Sequence, residues 1–479
     1  MLIRQATINL SANVLSALLG LLSVFVFTRL FSAHDYGIYL LGLGFASVIS
    51  VAFIGWFRNL ILSEHARNDG TDIRGLVISG YFVACLSAPL AYGLGRLVGL
   101  DSWAAAAAVG LAIAVGLFEL TQDLVRARLL AMTAMKATLV RAVSVLCLGV
   151  AFSFIDRTGF LLLASSALAY LLATGIQGRI WRGTAINFEG SALLAAAKQG
   201  LPLTISLTLL AVSSVTDRFM IANLISAADA GKYIAGLDLV RQTLMMPAIS
   251  AAAAFFPLAV LIRANQGQAA VRSHLGESAE LLFSITLPAC LGFAVIAPHI
   301  ANVVLGADFR ETAAEIMPII AVAVVFQILT QQYLHVSFLL SGRNSFYLIN
   351  TVSIIAANVV LSVVLIDKYG VVGAAWARLG ADVFGFVCAL MLSRRAFPIP
   401  LPLGRLALTM IAGLMMALLI GALDRNLHGS DLTACVILVI AGLTSYAALC
   451  WAFDISRLRA RSKNGLTLFR SKLAGIGIG

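Results

Sequence analysis

The chain has 479 residues, of which 61% are apolar and only 11% charged, with a mean hydropathy of +0.98. A soluble domain is about 45–50% apolar and about 25% charged, so composition excludes a soluble globular enzyme and a disordered chain alike. The formal charge of +11 would suggest nucleic acid in a soluble protein. Here the basic residues lie in short links between apolar runs, where they set topology and meet anionic headgroups, so no nucleic-acid partner is expected.

The predicted elements are all helices. A span needs about 20 apolar residues, and runs of that kind fall at 7–30, 37–62, 74–99, 103–124, 137–155, 159–181 and 200–224. The series continues at 231–262, 280–305, 313–340, 345–366, 370–396, 403–423 and 432–454. The first run is too long for a signal-peptide core and lacks a convincing cleavage site, so it reads as the first span. Pro247 and Pro257 predict a kink or tilt in the eighth. The fold class is therefore all-α: a polytopic integral membrane protein of about 14 transmembrane helices.

An even span number puts both termini on one side. If that side is the cytoplasm, the outer segments hold only Arg29, Arg96, Arg157, Lys232, Arg310, Lys368 and Arg425. Arg218, Arg241 and Arg378 fall inside spans, and the rest of the 33 Lys and Arg face inward. That is a strong positive-inside bias. Cys85, Cys147, Cys290, Cys388, Cys435 and Cys450 all sit in apolar runs without a C-x-x-C pair, implying neither a disulfide framework nor a zinc site.

The chain repeats itself. Leu30-Phe31-Ser32-Ala33-His34-Asp35-Tyr36-Gly37-Ile38-Tyr39 recurs as Leu224-Ile225-Ser226-Ala227-Ala228-Asp229-Ala230-Gly231-Lys232-Tyr233, at a constant offset of 194 residues. Gly42 and Leu43 continue the match at Gly236 and Leu237. Physically the motif is a short turn in which Asp caps the next helix and Gly admits a close helix approach. The repeat divides the chain into an N-terminal six-helix bundle (1–182), a cytoplasmic linker (183–199) and a C-terminal six-helix bundle (200–397). Two extra helices (398–454) and a basic cytoplasmic tail (455–479) follow. Two bundles related by a parallel repeat, rocking about a midplane cavity, form a transporter architecture.

Three motifs in order carry a family resemblance. The first span presents Asn13, Ser16, Gly20, Arg29, Phe31-Ser32 and Asp35-Tyr36-Gly37; the seventh presents Thr216-Asp217-Arg218-Phe219 and then the repeated turn. The twelfth opens Tyr369-Gly370-Val371-Val372-Gly373-Ala374-Ala375-Trp376-Ala377. Over essentially the whole chain this resembles the Wzx-type polysaccharide flippases, of the MOP superfamily that also holds the MATE exporters and the MurJ lipid II flippases. The resemblance implies a non-enzymatic flippase in a bacterial inner membrane. It would move undecaprenyl-pyrophosphate-linked oligosaccharide units to the outer leaflet for O-antigen, capsule or exopolysaccharide assembly. The implied partners are that lipid-linked glycan, membrane lipids and the polysaccharide polymerase and export proteins. A MATE-like ion-coupled antiporter and a lipid II flippase are the alternatives.

Such a substrate needs a wet, cationic cavity for its headgroup, and Arg suits phosphate because its planar fork bonds bidentately. Arg218, Arg241 and Arg378 are the candidates. Internal pairing is the competing reading, since Asp238 and Arg241 are spaced i,i+3 and Arg378 and Asp382 i,i+4. Arg29, at the outer end of the first span, is either a fourth contact or a headgroup anchor. Glu119 and Asp123 form an i,i+4 carboxylate pair able to take H⁺ or Na⁺ and couple an ion gradient, or else salt-bridged to Arg126 or Arg128. Asn13 on the first span and Gln327, Gln331 and His335 on the tenth make polar stripes suited to a glycan or to interhelical hydrogen bonds. No cofactor or metal is implied.

Overall fold

The computed structural model describes residues 2–67, 73–184, 190–253 and 255–455, with the side chains before residue 14 outside the description. Among the described residues every regular element is helical. In chain order these are α1 (Leu2–Leu30), α2 (Ala33–Arg67), α3 (Arg74–Cys85), α4 (Ala88–Leu97), α5 (Ser102–Ala127), α6 (Ala131–Ser153), α7 (Gly159–Gln177) and α8 (Gly190–Leu224). There follow α9 (Ala227–Ala252), α10 (Phe255–Val304), α11 (Ala307–Ile328), α12 (His335–Ser341), α13 (Asn344–Ala396), α14 (Leu403–Asp424) and α15 (Asp431–Phe453). A π-helical turn, Leu329–Leu334, joins α11 to α12.

Ten helical stretches are long and apolar enough to cross a membrane among the described residues, and α3 with α4, bent by 46°, make an eleventh. The bend falls at Ser87, whose hydroxyl donates to the Ala84 carbonyl, just before the Pro that opens α4. Two of the ten stretches are broken by glycine in a backbone region closed to other residues: Gly267 (φ 82°, ψ −175°) in α10 and Gly370 (φ 57°, ψ −136°) in α13. A continuous helix of the 53 residues of α13 would be about 80 Å long, against a hydrocarbon thickness of about 30 Å. The break makes it two spans. The stretch Ala227–Val304 likewise holds two, and α1 contributes Val14–Leu30, which accommodates the fourteen spans expected.

Two boundaries differ from expectation. Helix α8 starts at Gly190, so much of the segment expected as a linker is helical. The expected proline kink in the eighth span is instead a break after Ala252, and Pro257 then sits in the first turn of α10, where its missing N–H leaves no bond unmade.

The repeated turn has the same hydrogen bonds twice. Ser32 Oγ donates to Asp35 Oδ2 (2.6 Å) and accepts from the Asp35 N–H (3.1 Å). Ser226 Oγ donates to Asp229 Oδ2 (2.7 Å) and accepts from the Asp229 N–H (3.1 Å). The serine is therefore the N-cap and the aspartate its partner at the third helical position, a variant of the capping box, rather than the aspartate capping alone. The glycines of the motif meet each other. A Cβ on Gly37 would lie 2.0 Å from the Ala227 carbonyl oxygen, and one on Gly231 would lie 2.6 Å from the Ala33 oxygen and 2.7 Å from Gly37 Cα. The first turns of α2 and α9 thus pack backbone to backbone.

The chain forms two compact units, Met1–Gly236 with Val304–Ala313 and Asn358–Ala374, and Leu237–Val303 with Ala314–Ala357 and Ala375–Gly479. In the first, α2 packs along α5 and α8, α7 along α5 and α6, and α1 along α6. Its inner cluster joins Ile54, Phe57, Val77, Leu120, Leu124 and Ile180. In the second, Ile296, Ile420 and Leu438 bring α10, α14 and α15 together. At the ends of the same helices, His299 bonds Asp431 through Nδ1 (2.6 Å) and Asp424 through Nε2 (2.8 Å). Large apolar side chains such as Leu97, Leu418 and Leu443 are exposed, the surface a helix presents to lipid.

Several arginines close helix ends. Arg74 donates to the Ile180 and Arg182 carbonyls, Arg263 to Leu340, and Arg343 to Arg395. Each supplies a donor that the last turn of a helix lacks.

Gly37→Ala and Gly231→Ala should each cost at least about 3 kcal/mol, the upper end for overpacking, because the clash is with backbone. Both variants should fail to give a monodisperse peak in detergent gel filtration. Gly110→Ala, whose Cβ meets open space, should behave like the parent chain.

Candidate functional site

In the second unit three helices bring a polar cluster together. Arg241 comes from α9, Gln327 from the end of α11, and Arg378 and Asp382 from the second half of α13. Arg378 and Asp382, one helical turn apart, share a helix face, each only 4% exposed. Arg378 Nε donates to Asp382 Oδ2 at 2.9 Å. Hydrogen bonding sets the orientation of the Gln327 amide. Its oxygen accepts from Arg241 Nη2 at 2.7 Å, Arg378 Nη2 at 3.2 Å and Gln331 Nε2 at 3.3 Å. Two guanidinium groups of like charge therefore converge on one neutral oxygen. That is an arrangement into which an anionic oxygen fits without further rearrangement of donors.

The π turn decides which residues of this stripe take part. Simple i,i+4 spacing puts Gln327, Gln331 and His335 on one face. The π turn Leu329–Leu334 inserts between the first and last of them, and a turn closed by i→i+5 bonds shifts everything after it around the helix. Gln331 stays with Gln327. His335, contrary to the expected stripe, leaves the cluster: its Nε2 pairs with Asn350 Oδ1 at 3.0 Å, and Asn350 Nδ2 donates to the Gly385 carbonyl at 2.8 Å. The ring packs at 4.5 Å from that of Tyr347 and 5.5 Å from that of Phe338. It is a buried packing residue.

In the first unit the carboxylate pair is occupied by a cation from the apolar run 37–62, one counted as inner-facing. Arg58, inside α2, donates through Nη1 to Glu119 Oε2 and through Nε to Asp123 Oδ2 (2.7 Å). The partner is thus Arg58 on another helix; Arg126 and Arg128, the expected partners, are exposed at the end of α5. Two carboxylates one turn apart were the available signal for a missing cation. The sequence could not say which helix supplied it.

The remaining candidates lie elsewhere. Arg218 is half-buried on α8 in the first unit. Its neighbour Asp217 is fully buried, accepting from Tyr233 Oη at 2.9 Å and from the Arg218 N–H at 3.1 Å. Arg29 is exposed; its Nη1 donates to the Phe25 and Val304 carbonyls (2.8 and 2.7 Å), and its guanidinium sits 3.6 Å from the Phe25 ring centre. That ties helix ends together. Asn13 belongs to α1, but its side chain lies outside the described residues.

This helical arrangement matches solved transporters. The inward closed conformation of the lipid II flippase MurJ superposes with a TM-score of 0.78, at 14% identity, over 93% of this chain and 98% of that one. An inward-facing multidrug resistance MATE transporter of the MOP superfamily gives 0.56, at 15% identity, over 82% and 98%. A MOP superfamily transporter from Pyrococcus furiosus gives 0.51, at 14%, over 86% and 94%. No curated protein sequence gives a match. The fold is therefore that of the MOP transporters, and the molecule is a multi-pass membrane protein. More particularly, the model of the polysaccharide biosynthesis protein family matches residues 26–314, and the chain belongs to that family.

Removing one member of a buried ion pair costs about 3–5 kcal/mol, whereas replacing both by apolar groups is often neutral. Asp382→Ala should therefore lower the detergent melting temperature far more than the double variant Arg378→Met with Asp382→Leu. Equal losses would mean that Arg378 and Asp382 are not energetically coupled.

Proposed function

We propose that this protein is a flippase for undecaprenyl-pyrophosphate-linked oligosaccharide units, carrying them from the inner to the outer leaflet of a bacterial inner membrane by alternating access. The termini are cytoplasmic in this reading, and the units feed O-antigen, capsule or exopolysaccharide assembly. The observation that carries it is the convergence of Arg241 and Arg378 on the Gln327 oxygen within membrane-spanning helices. Intramembrane charge is costly and is kept where function needs it. A pyrophosphate offers several charged oxygens at the spacing of a guanidinium fork, and each can take the place of the Gln327 oxygen. Membership of a polysaccharide biosynthesis family supports the same substrate class.

In this reading Arg241 and Arg378 hold the pyrophosphate, Gln327 and Gln331 meet polar groups of the headgroup, and the polyprenyl tail stays in lipid. Arg218 and Arg29 remain candidates for substrate contact from the first unit. Glu119 and Asp123 are the groups through which H⁺ or Na⁺ would couple to the cycle, by competing with Arg58 for the carboxylates. The likeness to the lipid II flippase MurJ favours one second reading, a lipid II flippase, because that lipid presents the same pyrophosphate handle.

Deleting the gene should abolish surface glycan and leave undecaprenyl-linked repeat units at the inner leaflet. The double variant Arg378→Met with Asp382→Leu should reproduce this while the protein still inserts at normal abundance. Unchanged glycan with loss of cell-wall synthesis would transfer the assignment to lipid II. Unchanged glycan and unchanged lipid intermediates would overturn both.

A further inference from the structure

Arg141 is a cation within the apolar run 137–155. Counted among the inner-facing residues, it in fact lies ten residues into the 23-residue helix α6. At 1.5 Å per residue that is about 15 Å from the helix start, half the thickness of a bilayer core. Its guanidinium is held by neutral groups: Nη1 donates to Tyr170 Oη of α7 at 2.9 Å and Nη2 to Ser16 Oγ of α1 at 3.1 Å. The group lies 5.3 Å from the ring centre of Tyr170 and 5.9 Å from that of Phe118 on α5. Nε is buried and has no partner.

Arg141 thus differs from Arg58 and Arg378, each of which touches a carboxylate. Among the described residues no carboxylate lies within salt-bridge distance of Arg141. Glu119, which it feels through space, is already engaged by Arg58. Neutral hydroxyls and aromatic rings fix the plane of a guanidinium without neutralising it. A charge oriented in this way inside a membrane-spanning helix is suited to receive an anion.

We infer that Arg141, oriented by Tyr170 and Ser16, is an anion-contacting residue of the first unit and binds a phosphate oxygen of a polyprenyl-pyrophosphate. The inference rests on the flippase reading above and adds to it a contact in the first unit.

The test uses the full-length protein in nanodiscs, titrated with undecaprenyl pyrophosphate and with undecaprenol as the uncharged lipid, with a melting temperature taken for every variant. The parent chain should prefer the pyrophosphate lipid. Arg141→Gln should weaken that binding by about tenfold or more, the worth of a charged hydrogen bond, with the undecaprenol affinity unmoved. Arg141→Lys should restore part of it, and Tyr170→Phe should cost less than Arg141→Gln. If Arg141→Gln binds the pyrophosphate lipid as the parent does while Arg378→Ala does not, the assignment of Arg141 falls and the flippase reading stands. Weakened binding that tracks a lowered melting temperature and is not rescued by Lys makes Arg141 a structural residue and likewise overturns the inference. Equal binding of both lipids by the parent chain removes the substrate reading and this inference with it.

Discussion

A charge inside hydrocarbon has no water to fall back on, so every ionised side chain in these helices must find its partner in the protein or in what the protein carries. That one constraint orders the interior. Arg58 reaches two carboxylates on α5, and Arg378 takes Asp382 one turn along its own helix. Arginines near helix ends spend their donors on terminal carbonyls. With lipid tails as apolar as leucine, helix association itself rests on close packing, which is why the repeated turn brings glycine onto glycine rather than leucine onto leucine.

The larger features were legible in the sequence because they depend on composition and period. Sixty-one per cent apolar residues and evenly spaced charges leave little but a helical membrane protein. The Ser-x-x-Asp-x-Gly turn was visible as a repeat, and its glycines were rightly suspected of close approach. The division of labour between Ser32 and Asp35 was not, because either side chain can accept a backbone N–H and only the three-dimensional turn decides. Arg58 and Arg141 fell within the apolar runs 37–62 and 137–155 yet were counted as inner-facing, because a charge tally assigns a cation to the nearest link and only tertiary structure shows its partners inside the bundle.

The polar cluster was half legible. Arg241, Arg378 and Gln327 stood out as polar residues inside apolar runs, and i,i+4 spacing correctly paired Arg378 with Asp382. That Arg241 and Arg378 would share a single amide oxygen required tertiary structure. For His335 the interhelical hydrogen-bond reading holds, through Asn350; the shared stripe assumed 3.6 residues per turn, and the chain departs from that value at the π turn.

The π turn has a consequence for how such a site can change in evolution. A π turn is an α-helix carrying one residue too many. Excising a single residue from Leu329–Leu334 would rewind the segment and rotate His335 back toward Gln327, setting a titratable ring beside two fixed cations. Reading frame intact and composition nearly unchanged, one codon lost would add a group whose charge follows the acidity of its surroundings to a cluster built on permanently charged guanidinium groups. Length, as much as side-chain identity, therefore determines which groups meet at this cluster.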